Sequence, residues 1–530
     1  MSEAVRSFSR RGSGGATGGG TAPRGSFLFT RFVIAALILF AIISFWISRD
    51  THRIQQFIER DPASLVVAQH LLQNRDELFT SPSWNALSDS VQSHPVPSVL
   101  TTPLSAPDWV LRNLIGQYVL ITTQGTTDFE EAIYITRMSR VGVLLERGLR
   151  RRSSNISEDS GGLGLRYLSE SGLYYAVRGR VLLLSASRHG LVHTLTLSDT
   201  ERIPDEEWDE SIWALGDDEF RGTFRFSKES RWEPHFARID FALRLRDGDG
   251  TLELRAACTD VFYEELIPQL DGQKPSPLIR PMPGPIEFSA NLGTTFYDLS
   301  QLMETVLGPK PDSDEPWLVG FLKKSDRRQA SYLDPLIDVA GPSIAQTWHG
   351  YELGDLMPTH KTSIIADYRG TGIQDALVVA TEAQREGTFK PLQVSRDTES
   401  DWLEIETVGG LALTAILGQG KESSADQYLF ASTSKQLAEQ FGWGERRTAD
   451  TLKESGNLYV RINPGAVLSE YEAYSAALQS IGAISEVERS ERESRILTWR
   501  ERMKGIHELA LVAHHENREI TATLFLRNAF

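Results

Sequence analysis

Apolar residues at every second position mark the clearest elements of this chain. Ile239, Phe241, Leu243 and Leu245 alternate with polar residues, DGDG supplies a turn, and Leu252, Leu254 and Ala256 return on the same face. Near the other end Leu509 and Leu511 rise, and Ile520, Ala522, Leu524 and Leu526 come back. Each pattern predicts a long antiparallel hairpin with one covered face. Cys258 continues the first of these faces and reads as a small buried hydrophobe. A spacing of three and four appears elsewhere: Val467, Tyr471, Tyr474, Leu478 and Ile481 predict an amphipathic helix. Beyond it, Glu488, Arg489, Glu491, Arg492 and Glu493 run towards Ile496, Trp499 and Met503, which predicts a charged helix over the sheet.

The same order of patterns occurs twice. An apolar strand, then S-x-S and a basic residue, then an apolar-spaced segment, runs from Val181 to Leu195 and again from Tyr428 to Phe441. WNALSDSVQS around Leu87 resembles FYDLSQLMETVLG around Leu299, and Gly116 corresponds to Gly341. The offsets are 299−87=212, 341−116=225, 434−187=247 and, for the hairpins, 506−239=267. A steady rise is what a duplicated unit with insertions in its second copy predicts. The units are residues 60–267 and 286–530, joined by the proline-rich linker 268–285, with a helical insertion at 465–505.

Ahead of the units stands FVIAALILFAIISFWIS, Phe32 to Ser48, without a charge. Extended back to Phe27 it is long enough for a helix spanning a bilayer. Arg6, Arg10, Arg11, Arg24 and Arg31 precede it, so the expected topology is a cytoplasmic tail over 1–26, an uncleaved anchor over 27–48, and the bulk in the periplasm or extracytoplasmic space. A cleaved signal peptide competes, but no A-x-A-like site follows the apolar run.

Charge narrows the function classes. A net charge of −16 argues against nucleic acid as a partner, because phosphate recognition needs clustered cations. One cysteine excludes an intramolecular disulfide and a multi-cysteine zinc site. The basic stretch RGLRRRSSN, Arg147 to Asn155, reads as a loop in an acidic chain. The run PDEEWDESIWALGDDE, Pro204 to Glu219, reads as a solvated loop whose Trp208 and Trp213 suit a core edge or an aromatic contact.

Candidate chemistry is sparse. STSK offers Ser432 as nucleophile and Lys435 as base in the S-x-x-K manner. The matching SASR carries Arg188, which cannot deprotonate, and a serine capping the following helix explains both copies. GPSIA at Gly341 to Ala345 misses the second glycine of a nucleophile elbow and reads as a turn. His189 and His193 stand four apart without the glutamate of H-E-x-x-H, and HHEN at His514 falls where an exposed hairpin tip is expected. No cofactor is implied.

The anchor, the two α+β units in tandem and the repeated strand, S-x-S-[KR] and helix resemble a group of uncharacterised bacterial membrane-anchored envelope proteins sharing a domain of unknown function. The resemblance implies location and fold and brings no catalytic residues. The expected fold class is α+β: an N-terminal transmembrane helix followed by two related units of antiparallel sheet with packed helices. The expected function is envelope binding or scaffolding without catalysis, through an envelope protein partner. Tyr471, Tyr474, Trp499, Trp208 and Trp213 are the candidate partner surface. Alternatives are handling of a lipid or other hydrophobic ligand, with the long hairpins shaping its site, and a serine hydrolase using Ser432 and Lys435.

Overall fold

The computed structural model describes residues 52–73, 81–82, 108–123, 131–152, 154–158, 162–204, 219–226, 230, 232–245, 249–266, 276–291, 340–353, 358–370, 373, 375, 391–397, 402–407, 412–420, 427–442 and 448–528. They form a mixed α+β structure dominated by antiparallel sheet. The first half supplies β1 (Ser64–Gln69), β2 (Tyr118–Thr123), β3 (Ile133–Arg137), β4 (Ile156–Glu158), β5 (Arg166–Leu168), β6 (Leu173–Arg178), β7 (Val181–Ser185), β8 (Phe220–Phe224), β9 (Phe236–Arg244) and β10 (Gly250–Cys258). Their order across the sheet is β4-β5-β6-β7-β3-β2-β1-β8-β9-β10.

The second half supplies β11 (Ile286–Asn291), β12 (Ala340–Leu353), β13 (Pro358–Tyr368), β14 (Pro391–Asp397), β15 (Trp402–Thr407), β16 (Ala412–Gly420), β17 (Gln427–Ser432), β18 (Leu458–Ile462), β19 (Ile506–Glu516) and β20 (Glu519–Asn528). Their order is β14-β15-β16-β17-β13-β12-β11-β18-β19-β20. Each strand sits where its counterpart ten numbers earlier sits. Of the proline-rich stretch, Ser276–Ile279 is itself a short strand pairing with Thr451–Gly456, and Leu278 and Ile279 are buried.

Six α-helices are described: α1 (Asp108–Leu114), α2 (Arg140–Arg152), α3 (Arg188–Thr196), α4 (Lys435–Gly442), α5 (Pro464–Ser480) and α6 (Glu486–Arg502). α3 follows β7, and α4 follows β17. β1, SLVVAQ, is buried along nearly its whole length, as a continuous apolar run between two neighbours should be. The core of the first half gathers Ile58, Leu120, Ile133, Ile135, Leu183 and Leu191. In the second, Phe430 stacks on Phe441 of α4, and Leu403, Ala415 and Leu429 fill the other side of the sheet.

Register measures the correspondence residue by residue. Thr122 faces Ile133 and Thr347 faces Ser363, so β2 and β12 differ by 347−122=225, the value read from Gly116 and Gly341. Ser185 and Ser432 occupy equivalent ends of β7 and β17, an offset of 247. The final hairpins give 511−241=270, because Phe241 faces Leu254 as Leu511 faces Leu524; the expected 267 is three short. Nor do the offsets rise steadily, since Gly222 of β8 matches Val460 of β18 at 238. The acidic run before β8 lengthens the first half there.

The halves meet through their last strands. β10 and β20 pair antiparallel from Gly250 opposite Leu526 to Ala257 opposite Glu519. Leu252 faces Leu524 and Leu254 faces Ala522, so exchanging the halves by the 270 offset maps the joint onto itself. A local two-fold relation therefore passes beside Glu253 and Thr523.

The single-pass topology is corrected. No helix among the described residues is long and apolar enough to cross a membrane. The longest, α5 and α6, have 17 residues each, about 25 Å of helix, and α6 is densely charged. Residues 27–48 lie outside the described residues. The transmembrane helix in the fold class, the inner-membrane location and the membrane as partner consequently have no structural basis.

Candidate ligand-binding face

The S-x-S turns are architecture. Ser185 donates its hydroxyl hydrogen to the carbonyl of Ala132 at 2.9 Å and accepts from the N–H of Ser187 at 3.0 Å. Ser432 donates to the carbonyl of Thr362 at 2.9 Å and accepts from the N–H of Ser434 at 3.1 Å. The hydroxyl proposed as nucleophile is thus buried and spent in stitching β17 to β13, as its counterpart stitches β7 to β3. Lys435 extends outward to Glu404, 3.4 Å away. Ser187 caps α3 by accepting from Gly190, whereas the buried Ser434 Oγ makes no hydrogen bond. GPSIA lies within β12 rather than in a turn, with Ser343 buried.

The other sequence candidates are placed as follows. Tyr474 of α5 stacks on Tyr351 of β12, centroids 4.0 Å apart, and Trp348 meets Tyr351 edge-on at 5.4 Å. Gly350, at φ +103°, bulges β12 beside Glu470, whose carboxylate accepts from the Tyr351 N–H at 3.2 Å. Tyr474 therefore docks α5 on the sheet. Tyr471 and Trp499 are half-buried. Trp208 and Trp213 lie outside the described residues. His515 is buried and hydrogen-bonds Tyr263 at 2.7 Å, because β19 runs on to Glu516 and the tight turn falls at Asn517 and Arg518, both with positive φ. Among the described residues no group of three or more His, Cys, Asp or Glu side chains is placed to hold a metal.

What the residues do assemble is an apolar surface across the joint. Period-two alternation puts the apolar positions of β9, β10, β20 and β19 on one face, and register aligns them in rows. One row runs Leu243, Leu252, Leu524, Leu511; the next runs Phe241, Leu254, Ala522, Ala513. All eight are only half-buried. The ends of the face are closed by cores: Leu243 packs into that of the first half, and Ile520 and Cys258 into that of the second. At the second end Phe262 and Tyr263 cover the strands, and burial pushes the Cys258 thiol up to about 11, leaving it protonated at neutral pH.

The opposite face of the first hairpin is wet. Arg238, Arg244, Glu253 and Arg255 are exposed there, with Arg244 4.0 Å from Glu253 and Arg255 3.9 Å from Glu519. The contrast between the faces was legible as alternation. That the apolar one stays partly open was not, because a covered and an uncovered face share one pattern.

No family model matches the chain, and no curated protein matches it. Among solved structures, crystal form I of TP0453 is similar at 6% identity and a TM-score of 0.25, covering 40% of this chain and 80% of that one. Crystal form III gives 6% identity and 0.25, covering 44% and 91%. Similarity at this level determines neither fold nor function. The resemblance to membrane-anchored envelope proteins gains no family match, and the anchored scaffold loses the spanning helix on which it was built.

Proposed function

We propose that this chain binds a hydrophobic ligand, a lipid or a molecule with a long apolar chain, on the face where its halves join. One observation carries the reading: the central rows of Leu, Phe and Ala on β9, β10, β20 and β19 are half-buried, whereas β1, β3 and β7 in the first half and β17 in the second are packed into cores. Apolar sheet surface left in water is unfavourable, and an apolar ligand laid along the rows would remove it. The function is binding and handling rather than catalysis, consistent with Ser432 being committed to backbone hydrogen bonds.

The test is titration of the folded full-length chain with a fluorescent long-chain alkyl probe. Leu254→Asp and Leu524→Asp, which place a carboxylate among the rows, should each weaken binding at least about tenfold, as a buried unpaired charge demands. Glu253→Gln, on the wet face, should leave it unchanged. Equal affinity in all three folded variants would rule out this face.

A further inference from the structure

The two ends of the apolar face close differently. Beyond the row of Phe241, Leu254, Ala522 and Ala513, register sets one more on the same face: Ile239, Ala256, Ile520 and His515. The offset of 270 that relates Leu511 to Phe241 relates His515 to Leu245. Their backbones are held alike, since the Leu245 N–H donates to Glu219 Oε2 at 3.0 Å and the His515 N–H to Asn457 Oδ1 at 2.7 Å. The side chains differ. Leu245 packs into a core of the first half and closes that end with aliphatic contact. His515 instead meets a polar group carried by a separate segment.

That segment is residues 259–266, which ends in the helical turn Phe262–Leu266. It leaves β10 where the register slips between Ala257 and Cys258. Main-chain bonds fix its root: the Cys258 N–H donates to the Arg518 carbonyl and the Thr259 N–H to the His235 carbonyl, both at 3.0 Å. Beyond the root, the polar contacts holding it down among the described residues are between side chains. Tyr263 and His515 share their 2.7 Å hydrogen bond, and Asp260 lies 2.7 Å from Arg518. The Arg518 guanidinium sits 4.8 Å over the Tyr263 ring, and Glu265 lies 3.8 Å from His235. Asp260 and Glu265 are exposed, so their ion pairs contribute little. The Tyr263–His515 bond is the buried latch.

Phe262 and Tyr263 are buried in the cluster against which Ile520 and Cys258 pack. Two aromatic rings thus occupy the stretch of face next to the open rows. A helical turn tied down by one hydrogen bond and exposed ion pairs lifts more readily than a paired strand. The apolar area uncovered by lifting is area that an apolar ligand would cover again.

We propose that residues 259–266 are a self-blocking strap: Phe262 and Tyr263 occupy the end of the ligand face, and a bound apolar chain displaces them. The inference rests on the ligand-binding reading of that face, but its first test needs no ligand. Cys258, the one cysteine of the chain, has Tyr263 within hydrogen-bonding reach of its thiol and reports where the strap lies. Its reaction with a maleimide is followed in the full chain, and the fluorescent alkyl probe is then titrated into the unlabelled protein. Tyr263→Phe removes the latch and keeps the ring. It should speed labelling at least about fivefold, as one lost buried hydrogen bond does, and tighten probe binding by about the same factor. Asp260→Asn should do both to a smaller extent, and Glu264→Gln, an exposed position outside the latch, should do neither. Labelling at the parent rate in both latch variants overturns the strap. So does an acceleration matched by an equal loss of global stability in urea, which would mean unfolding of the whole chain. Faster labelling with unchanged probe affinity overturns the inference and leaves the ligand face standing. Absence of probe binding from the parent and every variant overturns both.

Discussion

Between β8 and β9 the first half has a short connection; between β18 and β19 the second half has α5 and α6. The strands beneath these connections differ accordingly. In β19 the outward positions Glu508 and Ala510 are buried, while Arg238 and Asp240, their counterparts in β9, reach solvent and pair with each other at 2.8 Å; Val512 and its counterpart Ala242 are both buried. Under its helical cover the second half builds a charge ladder: Arg461 lies 2.6 Å from both Glu287 and Glu508, and Arg527 lies 2.9 Å from Glu508. A shared strand order tolerates opposite chemistry on the outer face, whereas the inner face keeps its apolar rows in both halves. Cover is a local invention, and the joint is common property.

The sharpest way to break this comparison is to remove the centre of the ladder. Arg461→Ala leaves the buried Glu287 without its cation and Glu508 with Arg527 alone, and should lower stability by about 3 kcal/mol in urea unfolding. Arg238→Ala, in the uncovered half, should change it by less than about 0.5 kcal/mol. Equal effects would mean that α5 and α6 do not set the environment of β19.

A smaller effect concerns pH. His349 in β12 is largely buried, bonded to Ser363 at 2.8 Å, and burial with the nearby Lys361 pulls its pKa down to about 4. Its folded value lies below the unfolded one of about 6.5, so the unfolded state takes up the proton first. The contribution is complete above pH 6.5 and is lost as pH falls towards 4. Allowing for partial exposure, about 1–2 kcal/mol should disappear over that window. His349→Gln should remove that part of the pH dependence in denaturation measured at successive pH values.

The smallest difference separates the two S-x-S turns. Ser187→Ala removes a cap bond and should cost about 1 kcal/mol. Ser434→Ala removes a buried hydroxyl that bonds nothing and should be neutral or slightly stabilising by thermal melting.

These cases also show what sequence could and could not reveal. The hairpins were legible because alternation fixes which side chains share a face, and the S-x-S pair because local backbone chemistry recurs with local residues. The ladder was not, since Glu287, Arg461, Glu508 and Arg527 come together only through the register of β11, β18, β19 and β20. The place of His515 was missed because a turn shifted towards Asn517 exchanges an exposed position for a buried one. The arginines of α2 outweigh its spacing, so that stretch of sequence reads as a loop although it folds as a helix. Aromaticity alone does not mark a free surface: Tyr474 serves to hold a helix, while the exposed Trp109 stands in a segment with little pattern around it.

The joint between β10 and β20 has a consequence for how the chain is made. The first half can pair its strands internally up to β10, whose outer edge then has no neighbour until β20 arrives, roughly 260 residues later. At the usual pace of synthesis, about 5–20 residues per second, that edge waits on the order of tens of seconds. An unpaired edge recruits other chains, and during the wait the nearest identical edge belongs to a neighbour on the same messenger. Glu253 and Arg255 point their charges out from that strand, which places a guard on the edge during the interval when it is bare.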